Sequence, residues 1–204
     1  MNTPLRLTLA AALLASALAT SGCLPLAATG AAVGTMAVLD RRTLGTQTED
    51  QAIEMKVASR LRENTPQASS GVSVTSFNRK VLLTGQVASE DEKRLVERAV
   101  AGVENVQSIH NELQVQPRPS LRTTASDASI TARVKTAFID AKDLQTNAFK
   151  VVTEAGTVYL MGLVSLREGD RAAQVASRVA GVQRVVTVFQ YIAEEDATRL
   201  SQQK

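Results

Sequence analysis

The chain has 204 residues, of which 44% are hydrophobic, and its 23 basic and 20 acidic side chains give a net charge of +3. So weak a charge does not indicate a nucleic-acid-binding protein, and the lack of Trp with only 3% aromatic residues argues against a stacking platform for single strands. A single cysteine allows no disulfide within the chain, so aliphatic cores must stabilise the fold.

The N-terminal segment predicts a signal peptide over residues 1–22. Arg6 is followed by an apolar run of Leu and Ala from Leu7 to Ala19, which is too short to be a comfortable bilayer span. No later stretch reaches about 18 consecutive apolar residues, so we expect no transmembrane helix.

Cys23 stands where this signal ends, in the motif Thr20-Ser21-Gly22-Cys23. A lone thiol in an oxidising compartment is unusual unless it is chemically consumed. The motif resembles a bacterial lipobox, although Thr20 replaces the usual Leu, and the resemblance implies that Cys23 is acylated. Leu24 at the following position then implies sorting to the outer membrane. The alternative is cleavage after Ala17-Leu18-Ala19, which leaves a soluble protein with a free thiol.

Two similar units follow a tether at residues 23–47. In the first, residues 48–116, Thr48-Glu49-Asp50 is expected to cap a helix, strands 72–77 and 80–87 form a hairpin, a second helix follows Ser89, and residues 106–115 form the last strand. After a linker at residues 117–125, the second unit repeats this order over residues 126–193, with Ser126 or Asp127 as the first cap. Residues 194–204 are expected to fray as a polar tail.

The repeat is in register. The apolar positions of the first helix, Ile53, Val57 and Leu61, recur as Ile130, Val134 and Phe138 at a constant offset of 77 residues. The motif Val81-Leu82-Leu83-Thr84-Gly85 recurs as Val158-Tyr159-Leu160-Met161-Gly162. The sequence therefore predicts an α+β protein made of two αββαβ domains, each with a three-stranded mixed sheet packed on two helices.

These motifs, with Gly85 and Gly162 after the apolar runs of the second strands and Gly181-Val182 near the end of the second domain, resemble the BON domain. Two such domains behind a lipobox resemble the dual-BON outer-membrane lipoproteins of the DolP type. The resemblance implies a periplasm-facing protein, anchored by lipid at Cys23, that binds anionic phospholipid through its second domain and supports envelope integrity.

Glycines and polar clusters give no sign of catalysis. Gly85 and Gly162 fit no phosphate-loop motif and are interpreted as bulges or close backbone approaches, and Gly102 and Gly181 as helix C-caps. His110 has no second histidine or cysteine with which to form a metal site. We therefore expect neither an enzyme nor a cofactor.

Charge favours the second domain as the lipid-binding one. Residues 48–117 contain eight basic and ten acidic side chains, whereas residues 126–193 contain eight and six. In the family, the resemblance implies, lipid is contacted around the start of the second domain's first helix, where Ser129 replaces an aromatic residue. The candidate phospholipid-binding residues are Asp127, Ser129, Ile130, Arg133, Lys135, Arg167, Arg171 and Arg178.

Two functions remain open from the sequence. The first is a non-enzymatic lipoprotein that binds anionic membranes. The second is a periplasmic adaptor or quality-control factor for outer-membrane protein assembly, which would bind other envelope proteins through its sheets or its acidic first domain. The sequence does not indicate whether the protein is a monomer or an oligomer.

Overall fold

The computed structural model describes residues 40–117 and 121–202, without the side chains of Leu121 and Arg122. All of these residues belong to one compact unit, Ala37–Lys204. The predicted signal peptide, Cys23 and most of the predicted tether lie outside the described residues.

The described residues form two domains of the predicted type. The first contains α1 (Leu44–Asn64), the single turn α2 (Pro66–Ser69), β1 (Val72–Phe77), β2 (Lys80–Val87), α3 (Glu90–Ala101), β3 (Ser108–Asn111) and β4 (Gln114–Val115). The second contains α4 (Leu121–Asp140), β5 (Phe149–Glu154), β6 (Thr157–Val164), α5 (Leu166–Ser177) and β7 (Arg184–Tyr191), and is followed by α6 (Glu194–Gln202).

Both sheets are mixed. Strands β1 and β2, like β5 and β6, pair antiparallel as hairpins, while β2 pairs in parallel with β3 and β4, and β6 with β7. The α+β fold and its strand order are confirmed. The last strand of the first domain differs from the prediction, because it is interrupted where Leu113, 2% exposed, turns into the core.

The first helix of each domain begins earlier than predicted. Helix α1 starts at Leu44, with the Thr43 side chain accepting a hydrogen bond from the Thr46 amide, and α4 starts at Leu121. Asp50 and Asp127 are not caps, because both carboxylates point inward and bind backbone amides of the hairpins. The predicted tether and linker are correspondingly shorter.

Each domain has its own hydrophobic core between its helices and one face of its sheet, aliphatic in the first domain and with three phenylalanines in the second. The opposite faces of the two sheets pack on each other and form a third core. Its buried members are Phe77, Leu82, Tyr159, Met161 and Val188. The two domains are therefore docked sheet against sheet.

Polar contacts surround this third core. The Asn78 amide donates to Gln190 Oε1 at 2.5 Å, and Lys80 Nζ donates to the Phe189 carbonyl at 3.0 Å. Gln86 donates to Glu154 at 2.7 Å at another edge of the interface. These bonds satisfy groups that docking removes from water, and so they fix the register of one sheet on the other.

The C-terminal segment is not a fraying tail. Residues Glu194–Gln202 form α6, which has three acidic residues in its first turn, where they favour the positive end of the helix dipole. Ala197 is 1% exposed and packs against the body of the protein. This helix was not predicted because its apolar face is only Ala197 and Leu200.

A short arm before α1 joins both domains. Arg41 has a side chain only 2% exposed, and it donates to both oxygens of Glu168 at 2.7 Å and to the Leu163 carbonyl at 2.9 Å. Arg42 pairs with Asp50 of the first domain at 2.7 Å and lies over the Phe77 ring. The arm therefore holds the second domain through one arginine and the first domain through the next.

Candidate functional site

Asp127, a predicted lipid-contacting residue, closes the hairpin of the second domain. Its carboxylate accepts hydrogen bonds from the amides of Ala155 at 2.8 Å and Gly156 at 2.9 Å. Asp50 does the same in the first domain, where hydrogen bonds from Arg79, Ser76 and Arg42 hold the pKa of its carboxyl below the ordinary value although burial opposes this. The 77-residue offset between the two acids was the sequence signal for this role.

The start of α4 divides into a buried side and an exposed side. Ile130 is 3% exposed and packs in the core of the second domain, so it does not lie on the surface where we expected it. Ser129 is exposed and accepts a hydrogen bond from Arg133 Nη1 at 3.1 Å.

The outward face of α4 has few charges. It presents Ala125, Ala128, Ala132 and Ile139, the last of which is 67% exposed. Arg133 and Lys135 flank this face, and no carboxylate in the described part of the chain forms an ion pair with either. We call Ser129, Ala132, Arg133, Lys135 and Ile139 the α4 surface. Cations that flank small apolar side chains suit an anionic bilayer, because long basic side chains reach headgroups while the helix lies flat.

The arginines of α5 do not join the α4 surface. Arg167 pairs with Glu194 at 2.6 Å and Arg171 with Asp143 at 2.8 Å. The hydrogen bond to Glu194 raises the pKa of the Arg167 guanidinium, and Arg171 lowers the pKa of the Asp143 carboxyl. Arg178 is exposed at the C-cap of α5, with no ion-pair partner among the residues that the structure describes. Two of the three expected α5 cations are thus already neutralised.

The four glycines have different roles. Gly85 has φ +115°, and a Cβ there would lie 2.0 Å from the Gly71 carbonyl oxygen, while one at Gly162 would lie 2.7 Å from that of Ala148. Gly102 is the C-cap of α3 with an ordinary φ of −85°. Gly181 is not a C-cap: α5 ends at Ser177, and Gly181, with φ +95°, turns the chain beside Arg133.

No group of three His, Cys, Asp or Glu side chains suited to a metal ion occurs within residues 40–117 and 121–202. His110 lies in the edge strand β3, where burial and the charge of Lys80 lower the pKa of its imidazole.

Among the helices that the structure describes, none is long and apolar enough to cross a bilayer.

The family model of the BON domain matches residues 49–117 and again residues 126–193. The chain therefore belongs to the BON-domain family, in its tandem form. It is similar to the outer membrane lipoprotein DolP of Haemophilus influenzae, with 35% identity over 89% of this chain and 95% of that protein. These matches confirm the resemblance to DolP-type proteins.

Two further relatives have other names. A 21 kDa hemolysin of Actinobacillus pleuropneumoniae is 32% identical over 76% of this chain and 80% of that protein. The osmotically-inducible protein Y of Escherichia coli is 30% identical over 70% of this chain and 72% of its own.

Proposed function

We propose that this protein is an outer-membrane lipoprotein, acylated at Cys23 and facing the periplasm, that binds anionic phospholipid through the α4 surface and supports envelope integrity. The outer-membrane location and the lipid anchor are supported by the similarity of this chain to the outer membrane lipoprotein DolP. Acylation would confine the protein to one leaflet, so that a weak headgroup contact gains from high local concentration.

The observation that carries lipid binding is the contrast between two sets of basic residues. Arg133 and Lys135 flank an exposed helix face that is free of acids until Asp140, whereas Arg167 and Arg171 are held by carboxylates. Each free cation near an anionic surface contributes about 1 kcal/mol, and salt weakens this attraction. The α4 surface is therefore where lipid phosphates should be bound.

Vesicle binding by the acyl-free protein tests this proposal. Replacing Arg133 and Lys135 by Gln removes about 2 kcal/mol of attraction, so binding to anionic vesicles should weaken by roughly 30-fold. The matched control, Arg167→Gln with Arg171→Gln, should change binding little, because these cations are already paired. Equal losses from both pairs, or equal binding of the unmodified chain to zwitterionic vesicles, would contradict lipid binding by this surface.

Acylation has its own test. Mass spectrometry of the protein purified from membranes should find a mature chain that begins at Cys23 and carries acyl groups, and Cys23→Ala should release the protein into the periplasm. A strain without the protein and a strain that makes only the released form should both leak periplasmic enzymes. Recovery of the wild-type protein unacylated, after cleavage at another site, would contradict the anchor.

Under the adaptor hypothesis, the structure leaves less surface open to a protein partner than the sequence suggested. The sheet faces bury each other in the third core, so they are not open to an envelope protein, which would instead dock on the helices or on strand edges. Co-purification of an outer-membrane assembly protein that survives the Arg133 and Lys135 changes would favour this second function.

A further inference from the structure

Two exposed apolar side chains lie together at one end of the second domain. Leu166, the first residue of α5, is 63% exposed, and Tyr191, the last residue of β7, is 52% exposed. The Tyr191 ring lies on Gly169, where an added Cβ would be 3.1 Å from its Cε1 atom. Gly169 is one helical turn beyond Leu166, and Tyr191 pairs with Val164, two residues before Leu166, so both residues lie at the same end of the domain. We call them the Leu166–Tyr191 patch.

Tyr191 differs from the other aromatic residues of the chain. The remaining five, Phe77, Phe138, Phe149, Tyr159 and Phe189, are each at most 8% exposed. The Tyr191 ring packs edge-to-face with Phe189, with ring centroids 6.0 Å apart, while about half of the residue reaches solvent. A tyrosine held in this way, next to an exposed leucine, has an apolar body and a polar tip, which is the chemistry of a membrane interface.

The chain enters the folded body at this same end. Arg41 is fixed to the Leu163 carbonyl and to Glu168, which lie three residues before and two residues after Leu166. Residues 24–39 separate Cys23 from the arm, and sixteen residues can reach at most about 55 Å when fully extended. A compact body of about 165 residues is roughly 40 Å across. The patch end can therefore meet the bilayer with little extension of residues 24–39, and the α4 surface also stays within their reach.

We infer that the Leu166–Tyr191 patch contacts the leaflet that holds the acylated Cys23, an inference that rests on the proposed anchor. We expect this contact to be apolar rather than electrostatic, because the acidic residues of α6 near the patch are paired. Glu194 and Asp196 are paired with Arg167 and Arg199, both at 2.6 Å. The exposed Asp170, one turn after Leu166, limits the patch to the headgroup level. Salt should leave this contact unchanged, unlike that of the α4 surface.

Site-directed spin labelling of the full-length acylated protein in vesicles tests the inference. Acylation consumes the Cys23 thiol, so Leu166→Cys supplies a unique labelling site on an exposed position. Met55→Cys on α1 is the matched control, since Met55 is 67% exposed and Leu166 63%. Ala132→Cys reports separately on the α4 surface. The measurement is the collision rate of each label with oxygen and with a water-soluble nickel chelate.

On reconstitution, the label at Leu166 should collide more with oxygen and less with nickel, at low and at high salt, while the label at Met55 should not change. If the Leu166 label stays as open to nickel as the Met55 label while the Ala132 label is protected, the patch inference is wrong and the α4 surface stands. If neither is protected although mass spectrometry shows acylated Cys23, both surfaces are wrong. Protection of Leu166 that varies with the protein-to-lipid ratio would indicate contact between copies and would also overturn the inference.

Discussion

Single residues show where the repeated sequence has a structural purpose. Asp50 and Asp127 bind the amides of equivalent hairpin turns, and Gly85 and Gly162 allow the backbone just before the neighbouring strand to approach. The close approach at the two glycines was predictable, since a glycine inside an apolar strand has few other uses. The role of the two acids was mistaken for capping, because a local pattern cannot show which way a carboxylate points.

Gly85→Ala should destabilise the protein strongly. Its φ of +115° is unfavourable for a residue with a Cβ, and the new atom would lie 2.0 Å from the Gly71 carbonyl oxygen. We expect a loss of about 1–3 kcal/mol or more in the free energy of unfolding, measured by urea denaturation. Gly45→Ala is the control, because its Cβ would meet nothing closer than 3.8 Å and α1 should gain slightly. Similar stability of both variants would contradict the close approach.

Helices and strands were largely predictable from periodicity, while their ends were not. The offset of 77 residues aligned Ile53, Val57 and Leu61 with their counterparts in the sequence of the second domain, and all six side chains are buried. Helix α6 was missed although its acidic first turn and Arg199 in its last turn were helix signals. Its stability comes from tertiary contacts such as the bond from Arg41 to Ser201 Oγ, at 2.8 Å.

The ion pair between Arg41 of the arm and Glu168 should make the free energy of unfolding depend on pH in the acid range. Burial opposes ionisation of Glu168, yet hydrogen bonds from Arg41 and the Ser165 amide hold the pKa of its carboxyl below the ordinary value of about 4.3. A carboxyl with a lowered pKa stabilises the fold above its unfolded pKa, and this contribution is lost as the pH falls through the folded pKa.

Glu168→Gln should therefore be less stable than wild type at neutral pH, by about 3–5 kcal/mol, because Arg41 is left buried without its partner. As the pH is lowered below about 4.3, the stability of Glu168→Gln should fall less steeply than that of wild type. Urea midpoints measured across this range check both effects, with exposed Glu195→Gln as the control. Parallel pH curves for Glu168→Gln and wild type would show that the pair adds no acid sensitivity.

At the scale of the molecule, the two domains of the described residues form one body because they share a third core. The sequence indicated two modules but not their docking, since Leu82, Tyr159 and Met161 could as well have faced outside partners. The ion pair of Arg41 with Glu168 joins residues 127 positions apart, and no local pattern could reveal it. Docking leaves the helices and one end of the second domain as the surfaces open to a membrane.

The docked domains should unfold together. Calorimetry of wild type should give a single transition whose calorimetric and van't Hoff enthalpies agree. Met161→Asp buries an unpaired carboxylate between the sheets, at a cost of several kcal/mol that undocking would relieve, so two transitions should appear. Val134→Ala, in the second domain's own core, should lower the melting temperature and keep one transition. Two transitions in wild type would contradict docking.

The most direct measurement for the account as a whole is an NMR titration of the acyl-free protein with lipid nanodiscs. With anionic lipid, amide shifts and broadening should concentrate on Ser129, Ala132, Arg133 and Lys135, should weaken with added salt, and should be nearly absent with zwitterionic lipid. Perturbations that avoid α4, or that are equal for both kinds of lipid, would contradict the claim that this helix binds anionic phospholipid.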